Sequence, residues 1–365
     1  MPVPELISCL AEPLRAVLAG LDERTWQQLE EVRLRKGRPL MVTLSGFSFF
    51  LTRTGKICPE LPGDALIVTE RAFAETLAVM TKHSLYAVEE QVRSGFLTLS
   101  GGHRAGLVGR AVVENGQVRS LQQIGGINLR FGRAVPGIAV PLLPYLLATG
   151  RLQNTLLLSA PGAGKTTLLR DLVRCVSTGV PGLLVGLRVG VVDERSEIAG
   201  CQAGVPQHDL GPQTDVLDSC PKAEGIMMLL RAMSPQVVAC DEVGSHADVQ
   251  ALLEALHAGV IVLATVHAGT AAQLQARPVL RPLFEEKVFQ RLVLLGRSQG
   301  VGTIEAIYDD NLRPLLKRGT KDVEVGGGSV GDRRMQWHWT GCGGGIPAPT
   351  GRAPVVAYRL AGAGN

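Results

Sequence analysis

No two cysteines in this chain stand in a C-x-x-C spacing, and the seven present (Cys9, Cys58, Cys175, Cys201, Cys220, Cys240 and Cys342) are scattered. Several lie in apolar surroundings, where a free thiol behaves as a small hydrophobe, so the pattern points to a reducing cytosol and to no zinc. Long apolar runs are missing too. The richest stretches, residues 135–149 and 180–192, are interrupted by Pro136, Pro141, Pro144, Pro181 and Arg188. They fall short of the ~20 apolar residues that a spanning helix needs, so only peripheral membrane association is expected. No basic leader precedes the first apolar stretch, which carries Glu5 and Glu12 and reads as an amphipathic helix; a cytoplasmic protein is expected. Neither sign of charge dominates: 37 basic and 33 acidic residues leave a net charge of +4. That balance requires neither nucleic acid nor an anionic membrane as partner. An N-K-x-D base-reading motif is also lacking, which argues against a GTPase.

What remains is a chain of 365 residues, 45% of them hydrophobic, enough for one ordinary core and a second smaller one. Residues 1–124 mix β-rich runs (31–35, 39–44, 96–99, 107–113) with helical spacing over 70–82 and 84–93, which predicts a smaller α+β domain. Residues 125–140, rich in glycine and proline, read as a linker. From 141 to 316 short apolar runs alternate with helical segments, the pattern of an α/β domain with a parallel sheet. The glycine-rich segment 317–365 has few aliphatic residues and no periodicity, and is expected to be disordered.

The chemistry centres on Ser159, Ala160, Pro161, Gly162, Ala163, Gly164, Lys165, Thr166 and Thr167, which follow the apolar run Leu156, Leu157, Leu158 and open a helical stretch. Strand, glycine-rich loop and helix in that order aim loop N–H groups and the positive end of the helix at one phosphate. Lys165 would reach the β- and γ-phosphates of ATP, and the Thr166 hydroxyl would bind Mg2+. Ser159 stands where the first glycine of G-x-x-x-x-G-K-[ST] is usual. A second strand over 189–192 runs into Asp193, Glu194, Arg195, Ser196 and Glu197, and a third over 237–240 ends in Asp241 and Glu242. Carboxylates there sit at the ligand edge of a parallel sheet. Asp241 is expected to hold the magnesium, while Glu242 or Glu194 prepares the attacking water; the residues alone do not rank the two. A fourth strand over 260–264 ends in Thr265, Val266 and His267, bringing a hydroxyl and an imidazole toward the γ-phosphate. Arg104, Arg110, Arg130 and Arg133 precede the loop, and an arginine aimed at phosphate charge can be worth ~10³ to 10⁵ in rate. Two look-alikes are set aside. Leu99, Ser100, Gly101 and Gly102 imitate a transporter signature that belongs between the two nucleotide motifs, and Arg334 and His338 imitate a single-stranded nucleic-acid module.

In this order, with EVRLRKGRPL at 31–40, INLRFGR at 127–133, VVDERSEIAG at 191–200 and VVACDEVG at 237–244, the chain resembles the type II and type IV secretion ATPases, and among them a sporulation branch of endospore-forming bacteria. That resemblance, over roughly residues 5–312, implies a RecA-like ATPase domain assembled as a homo-hexamer. It also implies membrane-embedded partners in a secretion-like complex on the mother-cell side of the forespore membrane, with no nucleic acid. By the same resemblance Glu194 falls in an acidic box and His267 in a histidine box, and Arg130 and Arg133 contact nucleotide across subunits. The rival reading is an ATP-regulated nucleic-acid-binding P-loop protein.

Overall fold

A computed structural model describes residues 5–82, 84, 88–132, 134–270, 273–274 and 276–317. Arg133, Arg334, His338 and the segment expected to be disordered, from 318 on, lie outside the described residues.

The N-terminal part is built on seven strands: β1 (Leu29–Arg35), β2 (Met41–Leu44), β3 (Phe47–Leu51), β4 (Ile57–Cys58), β5 (Phe96–Leu99), β6 (His103–Glu114) and β7 (Gln117–Arg130). They pair antiparallel in the order β4-β3-β2-β1-β7-β6-β5. Period-two alternation fixes which face is covered. Val32 and Leu34 of β1 are buried with Leu97, Leu107 and Leu129, while Glu31, Arg33 and Arg35 point the other way. Helix Glu70–Met80 lays Phe73 and Met80 into that core. It starts where the spacing predicts because the Thr69 hydroxyl accepts the Ala72 N–H. In the second helical stretch the helix is Glu89–Arg93.

The glycine-rich segment read as linker begins inside the sheet. Residues 125–130 complete β7, with Gly126 opposite Arg35 and Arg130 opposite Glu31. The glycine marks close packing and not a break: a Cβ on Gly126 would stand 2.7 Å from Val108 Cγ2. Beyond Phe131 the chain is fastened to the second half by Asp171, whose carboxylate accepts the N–H groups of Gly137 and Ala139 at 3.0 and 2.8 Å.

After a small hairpin of β8 (Leu147–Ala148) and β9 (Arg151–Leu152) comes the second large sheet. Its strands are β10 (Thr155–Ser159), β11 (Val189–Asp193), β12 (Thr214–Asp218), β13 (Val237–Cys240), β14 (Ile261–His267), β15 (Arg291–Gly296), β16 (Thr303–Tyr308) and β17 (Pro314–Lys317). The order is β12-β11-β13-β14-β10-β15-β16-β17, parallel from β12 to β15 and antiparallel beyond. Leu157, Val191, Ala239 and Leu263 pack against helix Lys165–Thr178 on one face. Leu158, Val192, Val238 and Val262 pack against helices Lys222–Ala232 and His246–His257 on the other. Strands covered on both faces explain the unbroken apolar runs of the sequence. With β14 inserted between β10 and β13, this is a RecA-like P-loop fold preceded by a smaller α+β layer. No helix among the described residues is long and apolar enough to cross a membrane.

Candidate functional site

β10 is buried throughout and delivers the chain into the loop at the C-terminal edge of the sheet. Gly164 caps the following helix at φ +91°, and a Cβ there would lie 3.2 Å from the backbone of Gly302, so both conformation and space call for glycine. The loop is braced by the connection that follows the neighbouring strand β15. Gly302 N–H donates to the Ala163 carbonyl at 3.0 Å, and Arg297 Nη2 donates to the Gly162 carbonyl at 2.7 Å. Neither brace is signalled by the sequence, because both come from the β15–β16 connection some 135 residues away.

Lys165 is 5% exposed, and burial lowers its ammonium pKa against the raising influence of Asp241 and Glu242. Its Nζ donates to Ser159 Oγ at 3.2 Å and to the Ala160 carbonyl at 3.4 Å. The serine in place of the usual glycine is therefore one of the lysine's partners, a role the sequence did not suggest. Nζ also meets His267 Nδ1 at 3.0 Å, and His267 Nε2 meets Glu242 Oε1 at 2.6 Å. An ammonium only donates, so Nδ1 accepts and Nε2 carries the hydrogen toward the carboxylate. Thr166 Oγ1 donates to Asp241 Oδ2 at 2.5 Å, and the Thr265 hydroxyl donates to Asp241 Oδ1. Thr265 thus serves the acidic pair, also accepting the Glu242 N–H at 2.9 Å. Glu242 itself sits at φ +51°, a left-handed conformation that a non-glycine residue adopts only where its surroundings enforce it.

The donor set fits a nucleotide with magnesium. Thr166 and Asp241 offer hard oxygen ligands side by side, and Mg2+ characteristically takes one or two protein oxygens together with substrate phosphates. The Gly164 cradle leaves the backbone free to approach a phosphate where a Cβ would not fit.

The acidic run that begins with Asp193, the last residue of β11, lines the same cleft as Asp241 and Glu242, and its side chains go to separate partners. Asp193 is 2% exposed and turns inward to accept the N–H groups of Glu197, Ile198 and Ala199 at 2.8, 3.0 and 2.7 Å. Glu194 is paired with Lys222 of helix Lys222–Ala232. Arg195 Nη1 bonds Glu242 Oε2 at 2.7 Å, Ser196 Oγ donates to Asp218 Oδ1 at 2.5 Å, and Glu197 pairs with Arg104 of β6. Of the two glutamates left unranked, Glu242 joins Lys165, Thr166 and His267, while Glu194 is held by Lys222.

Arg130 is ion-paired with Glu31 at 2.9 Å on the N-terminal sheet and does not join the loop cluster of its own chain. The run Leu99, Ser100, Gly101, Gly102 forms a seam between the two halves. Ser100 Oγ donates to Gln202 Oε1 at 3.2 Å, and a Cβ on Gly102 would come within 2.2 Å of the His208 ring. Burial, with the charges of Arg170 and His103 adding to it, drives the His208 imidazole from 6.5 down to about 4. The unfolded chain then takes up this proton near 6.5 and the folded chain only near 4, so stability is full above 6.5 and declines as pH falls toward 4. The loss is about 3 kcal/mol at most. Urea unfolding between pH 7 and 5 should show a falling midpoint, and His208→Gln should flatten that slope; an unchanged slope would place the acid sensitivity elsewhere.

Residues 4–314 match the family described as "Sporulation stage III, protein AA". The chain is 45% identical over 305 residues to stage III sporulation protein AA of Bacillus subtilis (strain 168), covering 84% of this chain and 94% of that protein. It is 25% identical over 202 residues to the uncharacterized protein ycf45 of Cyanidium caldarium, covering 55% of this chain and 52% of that one. Among solved structures the ATPase DotB of Legionella pneumophila is similar, with 14% identity, 73% and 72% of the two chains covered and a TM-score of 0.47.

Proposed function

The chain belongs to the sporulation stage III protein AA family, and from that premise we propose that it is a magnesium-dependent ATP hydrolase, acting as a ring of like subunits that powers a membrane-embedded secretion-like complex during sporulation. One observation carries the hydrolytic part. Lys165, Thr166, Asp241, Glu242 and His267, from three separate segments of the chain, meet through direct hydrogen bonds at one edge of the parallel sheet.

In this reading the loop from Ser159 to Thr167 wraps the phosphates with its N–H groups, and Lys165 exchanges its internal partners for phosphate oxygens. Magnesium held at Thr166 and Asp241 would neutralise charge on the β- and γ-phosphates. Glu242 accepts the proton of the attacking water. His267, bonded to Lys165 on one side and to Glu242 on the other, links the group that holds phosphate to the group that takes the proton. Glu194 supports the site through Lys222 and does not act on water. The proposal places an N-terminal domain ahead of an ATPase domain that starts near residue 141. Arg130 and Arg133 are then supplied to a neighbouring subunit, and membrane contact runs through partner proteins.

Phosphate release from ATP, followed across protein concentration, tests the shared-site part of this reading. Activity per subunit should climb as the chain assembles. Constant specific activity down to monomeric concentrations would leave a hydrolase with self-sufficient sites.

A further inference from the structure

The run Asp193, Glu194, Arg195, Ser196 and Glu197 sends each side chain to a different structural neighbour. Asp193 closes its own loop, Glu194 meets helix Lys222–Ala232, Arg195 meets Glu242, Ser196 meets the end of β12, and Glu197 meets β6 of the N-terminal sheet. Only Arg195 reaches the cluster around Lys165. We infer that Arg195 is a positioning residue for Glu242, and that the Arg104–Glu197 pair sets where Arg195 stands, so that the N-terminal sheet governs the hydrolytic carboxylate. The inference rests on the role of Glu242 proposed above.

Three features support it. First, the Glu242 carboxylate is gripped on both oxygens, by His267 at 2.6 Å and by Arg195 at 2.7 Å, so Arg195 fixes the rotation that His267 alone leaves free. Second, both ends of this ion pair rest on constrained backbone. Glu242 stands at φ +51° and Ser196, next to Arg195, at φ +52°, each held by side-chain hydrogen bonds to its surroundings. Third, the loop is clamped to the phosphate-binding helix. Arg170 of that helix donates to the carbonyls of Glu197 and Ile198 at 2.5 and 2.7 Å, while Asp193 holds the N–H groups of the same turn. Glu197 thus joins β6, through Arg104 lying 3.7 Å over the Phe96 ring, to the turn held by the phosphate-binding helix, two residues from Arg195. Arg195 is itself 59% exposed, so the pair does not exist merely to neutralise a buried charge.

Two measurements on the full chain test this. In steady-state ATP hydrolysis, Arg195→Ala should lower kcat roughly 3- to 10-fold, the size of one charge-assisted hydrogen bond discounted for the exposure of the arginine, with KM for ATP within about twofold. Arg195→Lys should recover part of the loss. Arg104→Ala should lower kcat less, and its effect should shrink in the Arg195→Ala background, because both act through one path. A raised KM with kcat unchanged would make Arg195 a phosphate-binding residue and overturn the proposal, as would losses that simply multiply. Hydrogen–deuterium exchange without nucleotide supplies the second readout: residues 241–244 should exchange faster in Arg195→Ala than in the wild type. If the wild type hydrolyses no ATP, the proposed activity fails by itself, while unchanged exchange at 241–244 would separately remove the positioning role.

Discussion

Replacing Glu242 with glutamine is expected to lower the rate of ATP hydrolysis by roughly a thousandfold, within the ~10² to 10⁴ that a positioned general base contributes. The amide keeps the size of the side chain but only one acceptor oxygen, so it can accept from His267 or from Arg195 and not from both; the phosphate loop is untouched, so binding of ATP should survive while proton acceptance does not. Glu194→Gln should cost less than about tenfold in rate. Its effect should appear instead in stability, by about 1–3 kcal/mol, because Lys222, whose side chain is 9% exposed, loses an ionised partner. The check is kcat at saturating ATP for both variants beside their thermal unfolding. A large rate loss at Glu194 with a small one at Glu242 would reverse the roles assigned here.

The largest stability effect should come from Asp193→Ala. Its carboxylate is the acceptor for three consecutive N–H groups. Each buried donor left unmade costs about 1–3 kcal/mol. Opposing this, burial, with the charge of Asp218 adding to it, raises the carboxyl above its ordinary range despite those three N–H groups, so the charge is itself held at a cost. The balance caps the expected loss at about 3 kcal/mol, a large share of a typical domain's stability. Asp193→Asn, which keeps one acceptor oxygen, should lose about half of that. The urea midpoint measures both, and an Asp193→Ala chain as stable as the wild type would show that the turn finds other acceptors.

Much of the site could be read before any coordinates, for definite physical reasons. A strand buried on both faces leaves an unbroken apolar run, so β10, β11, β13 and β14 announce themselves, and the polar residues that end each run fall at one sheet edge. The loop at Gly162 and Gly164, the carboxylates after β13 and the imidazole that ends β14 follow from that alone. What could not be read is pairing between distant segments. The bond from Arg195 to Glu242 spans 47 residues and that from Arg104 to Glu197 spans 93. A carboxylate at a strand end looks the same in sequence whether or not a lysine stands beside it, as Lys222 does beside Glu194. Glycines mislead in the same way. Gly126 reads as linker yet belongs to β7, where a Cβ would meet Val108, and Gly102 reads as part of an imitation of another motif yet leaves room for the His208 ring. In each case the absence of a Cβ is used for proximity and not for flexibility.

The central claim, that this family member hydrolyses ATP at the Lys165 loop, is tested most directly by magnesium-dependent phosphate release from ATP in the wild type and in Lys165→Ala. Release should require magnesium in the wild type and stay at background in the variant, with the variant still folded. Equal release from both chains would contradict it.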